Sequence, residues 1–158
     1  NRTSLLSSYL DKSDGIVATT FDETYQGDLG TRPPSMGHSQ MVGLENRVYL
    51  FGGFQAGGFG SANGSLFLFD GVTRKWSQPQ IQADTLVTTN EGAPSPRYQN
   101  GLLYIHEKNS LYIAGGLSQN PTNEQNWTTN DDIWKINLND STLRWKRICD
   151  SCGVFSNN

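Results

Sequence analysis

The sequence predicts an all-β chain built from repeated four-stranded units of the β-propeller kind, and three observations carry that prediction. First, the run Val48-Tyr49-Leu50-Phe51-Gly52-Gly53 returns as Leu111-Tyr112-Ile113-Ala114-Gly115-Gly116, four apolar residues closed by a glycine pair, at an offset of 63 residues. Second, the apolar runs are short, rich in aromatic and β-branched residues and bounded by Gly, Asn and Asp, which favours strand over helix. Third, Gly (17) and Pro (6) make up about 15% of the 158 residues against an average of roughly 12%, while charged residues reach only 17%. An aromatic content of 11% supplies the large buried areas that disordered chains lack.

The elements follow in order. Residues 1–33 contain one strand-like run, Gly15-Ile16-Val17-Ala18-Thr19-Thr20-Phe21, without a glycine pair or a Trp, and read as part of a preceding blade or a ring-closing strand. The first unit, 34–93 with its linker, opens with a hairpin, Ser39 to Leu44 turning through Glu45-Asn46-Arg47 into Val48 to Phe51. A long polar loop, Phe54 to Gly64, leads to a third strand at Ser65 to Asp70, and a turn brings in the fourth with Lys75-Trp76. The second unit, 94–148, repeats the order: Gly101 to His106, the turn Glu107 to Ser110, Leu111 to Ala114, a loop from Leu117 to Asn130, Asp132 to Asn137, and Arg144-Trp145. Four strands per unit with a Trp on the last is a propeller-blade pattern. A Cys-containing tail, 149–158, closes the chain.

These residues resemble the kelch repeat. The resemblance rests on the glycine pairs Gly52-Gly53 and Gly115-Gly116, on Phe69-Asp70 preceding Trp76, and on the lead-in Pro33-Pro34-Ser35-Met36-Gly37-His38. It covers about Pro33 to Ile148. The basic residue usual in the kelch lead-in is aligned with Ser35 in the first unit and Arg97 in the second, the usual His with His38 and Asn100, and Ile136-Asn137 replaces the aromatic-acid pair. The resemblance implies a kelch-type β-propeller. Glycine pairs permit positive φ and close approach near a crowded axis. Trp76 and Trp145 are expected at the contacts between blades. Propellers use roughly four to eight blades, so two blades and a partial one imply further blades, from a longer chain of which this is a piece or from another subunit. A start at Asn1 with no charged-then-apolar leader fits an excised or processed piece.

A formal charge of −3 and a pI near 5.2 provide no basic stripe for phosphates, which sets nucleic acid aside. Apolar stretches of about seven residues fall short of the roughly 20 that span a bilayer, so this segment is not expected to insert into a membrane. His38 and His106 lie at non-equivalent places and lack the converging ligands of a metal site, and no metal or cofactor is expected. Asp131 and Asp132 precede a strand, where turn capping is their ordinary role. Some kelch proteins are sugar oxidases or epimerases, but no Tyr, Cys and His grouping transfers such a site.

Cys149-Asp150-Ser151-Cys152 has neither a second pair nor a following helix pattern, which favours a disulfide over zinc or redox catalysis and implies an oxidising compartment. The sequons at Asn1, Asn63, Asn126 and Asn139 exceed the roughly 2.5 expected by chance and fall mostly in loops. Together they point to a secreted protein or the ectodomain of a membrane protein. Loop aromatics are common binding anchors, so Phe54, Phe59 and Trp127 are the candidate contacts for a protein partner. The leading expectation is a non-enzymatic propeller module that displays loops. The alternatives are part of a sugar-acting enzyme or an intracellular kelch adaptor, which reduced thiols and absent glycans would favour.

Overall fold

The computed structural model describes residues 6–11, 15–21, 28–55, 61–88, 92–120 and 123–153. Strands β3 (Gln40–Leu44), β4 (Arg47–Phe51), β5 (Leu66–Asp70) and β6 (Lys75–Ser77) form one antiparallel sheet in chain order. A second sheet holds β7 (Gly101–Ile105), β8 (Ser110–Ala114), β11 (Ile133–Asn137) and β12 (Lys146–Cys149), again in chain order. These are two propeller blades. Two further strand pairs accompany them: β1 (Leu6–Asp11) with β2 (Gly15–Phe21), and β9 (Leu117–Asn120) with β10 (Asn123–Thr129).

Local chemistry accounts for the turns. Leu44 pairs with Arg47, so only Glu45 and Asn46 connect β3 to β4, and Glu45 takes φ 49°. The corresponding turn in the second blade is longer, a single 3-10 turn His106–Lys108 ended by Asn109 in the left-handed region. Asn tolerates that region because its short side chain bonds locally, and here Asn109 Oδ1 accepts the Tyr104 hydroxyl at 2.9 Å.

The two blades stack head to tail. In the first sheet Val42, Tyr49 and Leu68 lie opposite one another across the strands, as do Phe51 and Leu66, and all five turn toward the second sheet. The second sheet answers with Leu111, Ile113, Trp134 and Ile136. By the glycine-pair offset, Tyr49 and Phe51 correspond to Tyr112 and Ala114, not to Leu111 and Ile113. Opposite faces of equivalent sheets therefore meet, the arrangement that leaves an outward face on each. Phe51, Trp134 and Ile136 are fully buried there, and Phe51 meets Trp145 edge-on at 5.8 Å.

Each blade's outer strand is also covered at its edge by the segment that precedes the blade. Trp76 N donates to Leu29 O (2.8 Å) and Thr31 N to Trp76 O (3.0 Å); Trp145 N donates to Gln82 O (2.9 Å) and Gln82 N to Leu143 O (2.9 Å). Covering an exposed strand edge removes a template for unwanted pairing. The lead-ins act as straps.

Two expectations change. The segment Leu117 to Asn130 is not an irregular loop: β9 and β10 pair within it, with Trp127 opposite Gln119. The fourth strand of the second blade begins after Trp145, at Lys146, and runs to Cys149, past the expected end of the unit. Trp145 lies between the two sheets, and Trp76 packs on Phe69 (5.1 Å) on the equivalent face of the first sheet, which no other sheet among the described residues covers.

That difference sets a measurable contrast. Trp145→Ala, which empties a site only 5% exposed, is expected to cost about 3–5 kcal/mol in urea unfolding. Trp76→Ala, at a half-buried site, is expected to cost less than half as much; equal losses would contradict the stacking order.

Candidate binding site: an aromatic cluster across two blades

The site is built where the lead-in of the second blade crosses the glycine pair of the first. Gly53 N donates to Arg97 O (2.9 Å), Arg97 N to Asn63 O (3.1 Å) and Gln99 N to His38 O (3.2 Å). Gly52 and Gly53 take φ 72° and 112°, and Gly115 and Gly116 take 61° and 96°. A Cβ on Gly116 would stand 2.9 Å from both Tyr98 O and Asn100 Cβ, so a side chain there would push the lead-in away. The same crossing corrects the register of the two lead-ins. Gly37 bridges Phe54 as Tyr98 bridges Leu117, and His38 and Gln99 share positive φ (56° and 54°). Met36 rather than Ser35 thus stands at the place of Arg97, and Gln99 rather than Asn100 at that of His38.

Beneath the crossing lies a buried ion pair. Arg97 is 0% exposed, and its guanidinium reaches both oxygens of Asp132, Nη1 to Oδ1 at 2.5 Å and Nη2 to Oδ2 at 3.0 Å. Arg97 Nη1 also donates to Gly115 O, Arg97 Nε to Ser95 O, and Trp134 Nε1 to Asp132 Oδ2. Asp132 is not a turn cap. Burial acts to raise its pKa, but the Arg97 hydrogen bonds and charge, with the Trp134 N–H, outweigh it and hold the carboxyl below its ordinary value. The first blade has Met36, Ser65 and Phe67 where the second has Arg97, Asp132 and Trp134. All three are exchanged together, Met and Ser for the two charged groups and Phe for the indole N–H donor.

Above the pair three aromatic rings converge. Tyr98 and Trp127 meet edge to face at 4.9 Å, Phe54 lies 5.5 Å from each, and His38 stands 6.1 Å from Tyr98. Phe54, Tyr98 and Trp127 are half-buried and His38 is exposed. Phe54 comes from the first blade, Tyr98 from the second lead-in and Trp127 from β10, so the cluster straddles both blades. Tyr98 and His38 carried no binding signal in the sequence; the only hint was an aromatic directly after the lead-in Arg. Phe59 lies outside the described residues. Such a surface offers flat apolar area with a Tyr hydroxyl and an indole N–H at hand, the chemistry of contact rather than turnover. Among the described residues no group of His, Cys, Asp and Glu is arranged to hold a metal ion.

The other singled-out residues lie elsewhere. Cys149 and Cys152 form a disulfide with Cα atoms 5.8 Å apart. Asp131 holds that loop, accepting from Cys152 N through its carbonyl (2.8 Å) and from Gly153 N through Oδ2 (2.9 Å). Asn126 and Asn139 are exposed. Asn63 is half-buried, its Oδ1 accepting from Ser65 N (2.7 Å) and its N donating to Gly53 O (2.8 Å), the same backbone bond that Asn130 makes to Gly116 O. Asn1 is outside the described residues. His106 lies at the far end of the β7–β8 hairpin, 6.2 Å from Tyr104.

Removing one partner of a buried pair leaves an uncompensated charge, so Asp132→Ser is expected to cost about 3–5 kcal/mol at neutral pH. Arg97→Met combined with Asp132→Ser, which copies the first blade, is expected to cost less than Asp132→Ser alone. Because the folded pKa of Asp132 lies below its unfolded value near 3.8, its contribution is present above that value and lost as pH falls through the folded pKa. Acid unfolding followed by tryptophan fluorescence should therefore steepen below about pH 4 in the wild type and lose that component in Asp132→Ser.

Comparison with known proteins places this architecture. A Kelch motif matches residues 35–81. The Rab9 effector protein with kelch motifs of Xenopus laevis is 29% identical over 91 residues, covering 57% of this chain and 22% of that protein. The proteins of the same description from Mus musculus (32% over 85 residues; 54% and 20%) and Homo sapiens (31% over 93 residues; 58% and 22%) are similarly related. The chain spans about a fifth of the length of these curated relatives. With that motif match and two stacked four-stranded sheets, the chain carries a Kelch motif at residues 35–81, is similar to kelch-motif proteins, and has the strand architecture of propeller blades.

Proposed function

We propose that the chain is a protein-binding kelch module without catalytic activity of its own, acting as an intracellular adaptor. The observation that carries it is the Phe54–Tyr98–Trp127 cluster, fixed by backbone bonds of two blades and left half-exposed. Rings so held lose little freedom on binding, which is the advantage of a preorganised contact. The relatives' description as Rab9 effectors favours the adaptor over the secreted module, and makes Rab9 the first partner to try. No helix among the described residues is long and apolar enough to cross a membrane.

A second reading, a secreted or cell-surface glycoprotein, is favoured by the Cys149–Cys152 disulfide and the exposed sequons at Asn126 and Asn139. Intact-mass analysis of protein from its native source separates the two. Unmodified asparagines are expected for the adaptor; added glycan mass at Asn126 or Asn139 sinks it.

Binding is tested by interferometry with the chain immobilised and purified Rab9, loaded in turn with GDP and a GTP analogue, in solution. Binding that falls at least tenfold in Trp127→Ala and in Phe54→Ala, with unchanged near-UV circular dichroism, is the expected result. Binding indifferent to both substitutions, or none in either nucleotide state, removes the cluster or the partner respectively.

A further inference from the structure

The Cys149–Cys152 disulfide closes a loop of two intervening residues where β11 begins and β12 ends, with Asp131 just ahead of one strand and Cys152 just past the other. Stacked sheets cover one another's faces, whereas this loop lies at strand ends. Cys149 and Cys152 are half-buried, and Asp150 and Ser151 between them are exposed. A cross-link between residues so close in sequence takes less entropy from the unfolded chain than one closing a long loop. What it fixes is local: the positions of Asp150 and Cys152 against β12.

Two lines of contact run from that loop to the buried ion pair. Through the backbone, Cys152 N donates to Asp131 O (2.8 Å) and Gly153 N to Asp131 Oδ2 (2.9 Å), and Asp131 adjoins Asp132. Through side chains, Asp150 Oδ1 accepts from Arg147 Nη1 (2.8 Å), the Arg147 guanidinium lies over the Trp134 ring at 5.8 Å, and Trp134 Nε1 donates to Asp132 Oδ2 (2.6 Å). Both lines end on the carboxylate that holds Arg97, the residue before Tyr98 of the aromatic cluster. The first blade has Ser65 at the place of Asp132 and contains no cysteine, so the charged pair and the disulfide occur together in one blade.

We infer that the Cys149–Cys152 pair is a redox switch for the aromatic cluster: closed, it braces Asp132 and through it Arg97 and Tyr98; opened, it releases them. The inference rests on the reading of the chain as a protein-binding module and assigns a regulation to that module's site. Opening requires an external dithiol. One thiolate of the reductant attacks a cysteine sulfur and expels the other as a thiolate, and its second thiol then resolves the mixed disulfide. The cysteines thereby gain two electrons and two protons, and the reductant becomes the disulfide. In the reducing compartment of an intracellular adaptor, disulfides are as a rule transient, catalytic or redox-sensing. The bond then reports a redox state instead of only stapling the loop.

The test is hydrogen exchange read by mass spectrometry on the whole chain, oxidised and after dithiothreitol, with Rab9 binding by interferometry measured on both forms. The probes are the amides of Arg97, Tyr98 and Gln99, which bond to the carbonyls of Asn63, Leu117 and His38. Their exchange is expected to rise about tenfold on reduction, while the Leu50 and Phe67 amides of the first sheet keep their protection. Oxidised dithiothreitol should restore the original rates, and Rab9 binding should fall and recover with them. Cys149→Ser with Cys152→Ser should match the reduced wild type and ignore both reagents. Asp132→Ser, which removes the carboxylate on which both lines end, should abolish the difference between the redox states at Tyr98. An equal rise at the first-sheet amides marks a merely structural bond and overturns the proposal, as does unchanged exchange at the probes or a disulfide that resists dithiothreitol until the chain unfolds. Equal Rab9 binding by both forms ends the switch and leaves the module reading standing. Binding to neither form, with the exchange difference present, removes Rab9 as partner and leaves the switch.

Discussion

A single buried ion pair organises the junction on which the candidate site depends. Arg97 sits at the one point where the second lead-in, the glycine pair of its own blade and the start of β11 come together, and its guanidinium bonds to all three. Desolvating a guanidinium and a carboxylate is costly, and only near-complete satisfaction of their bonding capacity offsets it. The bidentate contact, two backbone carbonyls and the Trp134 N–H provide that satisfaction. Once Arg97 is fixed, Tyr98 follows one residue later, and its place beside Phe54 and Trp127 is set by backbone rather than by the rings themselves.

The first blade shows the same junction solved differently. Met36, Ser65 and Phe67 replace the charged and hydrogen-bonded group without disturbing the backbone bridges, so the propeller geometry does not require the charge. A pair of this kind serves registry more than net stability. Its position under the aromatic cluster, and not under the first lead-in, links the rigid spot in the fold to the surface proposed to bind.

Stacking order governs which faces the two sheets hide from each other. Because opposite faces of equivalent sheets meet, Tyr49 and its neighbours are hidden while their counterparts around Tyr112 look outward. Leu68 is constrained by the packing of the second sheet; Lys135, at the equivalent place in the second sheet, meets no further sheet among the described residues.

The sequence by itself determined the strands and their grouping, because alternating apolar runs, glycine pairs and polar turns are local signals of a pleated, half-buried backbone. Leu66 to Asp70 and Leu111 to Ala114 could be read directly for this reason. Pairing inside the polar stretch that holds Trp127 was hidden, since Asn, Gln and Thr give no apolar alternation there. Asp132 looked like any acid before a strand, and nothing within the 35 residues between it and Arg97 announces the pair. Phe54 and Trp127 stood out as loop aromatics, whereas their convergence on Tyr98 is a contact over tens of residues. Only the tertiary structure decided which faces meet, which lead-in residues align and where the charges fall, because those outcomes depend on through-space packing between blades that no spacing along the chain encodes.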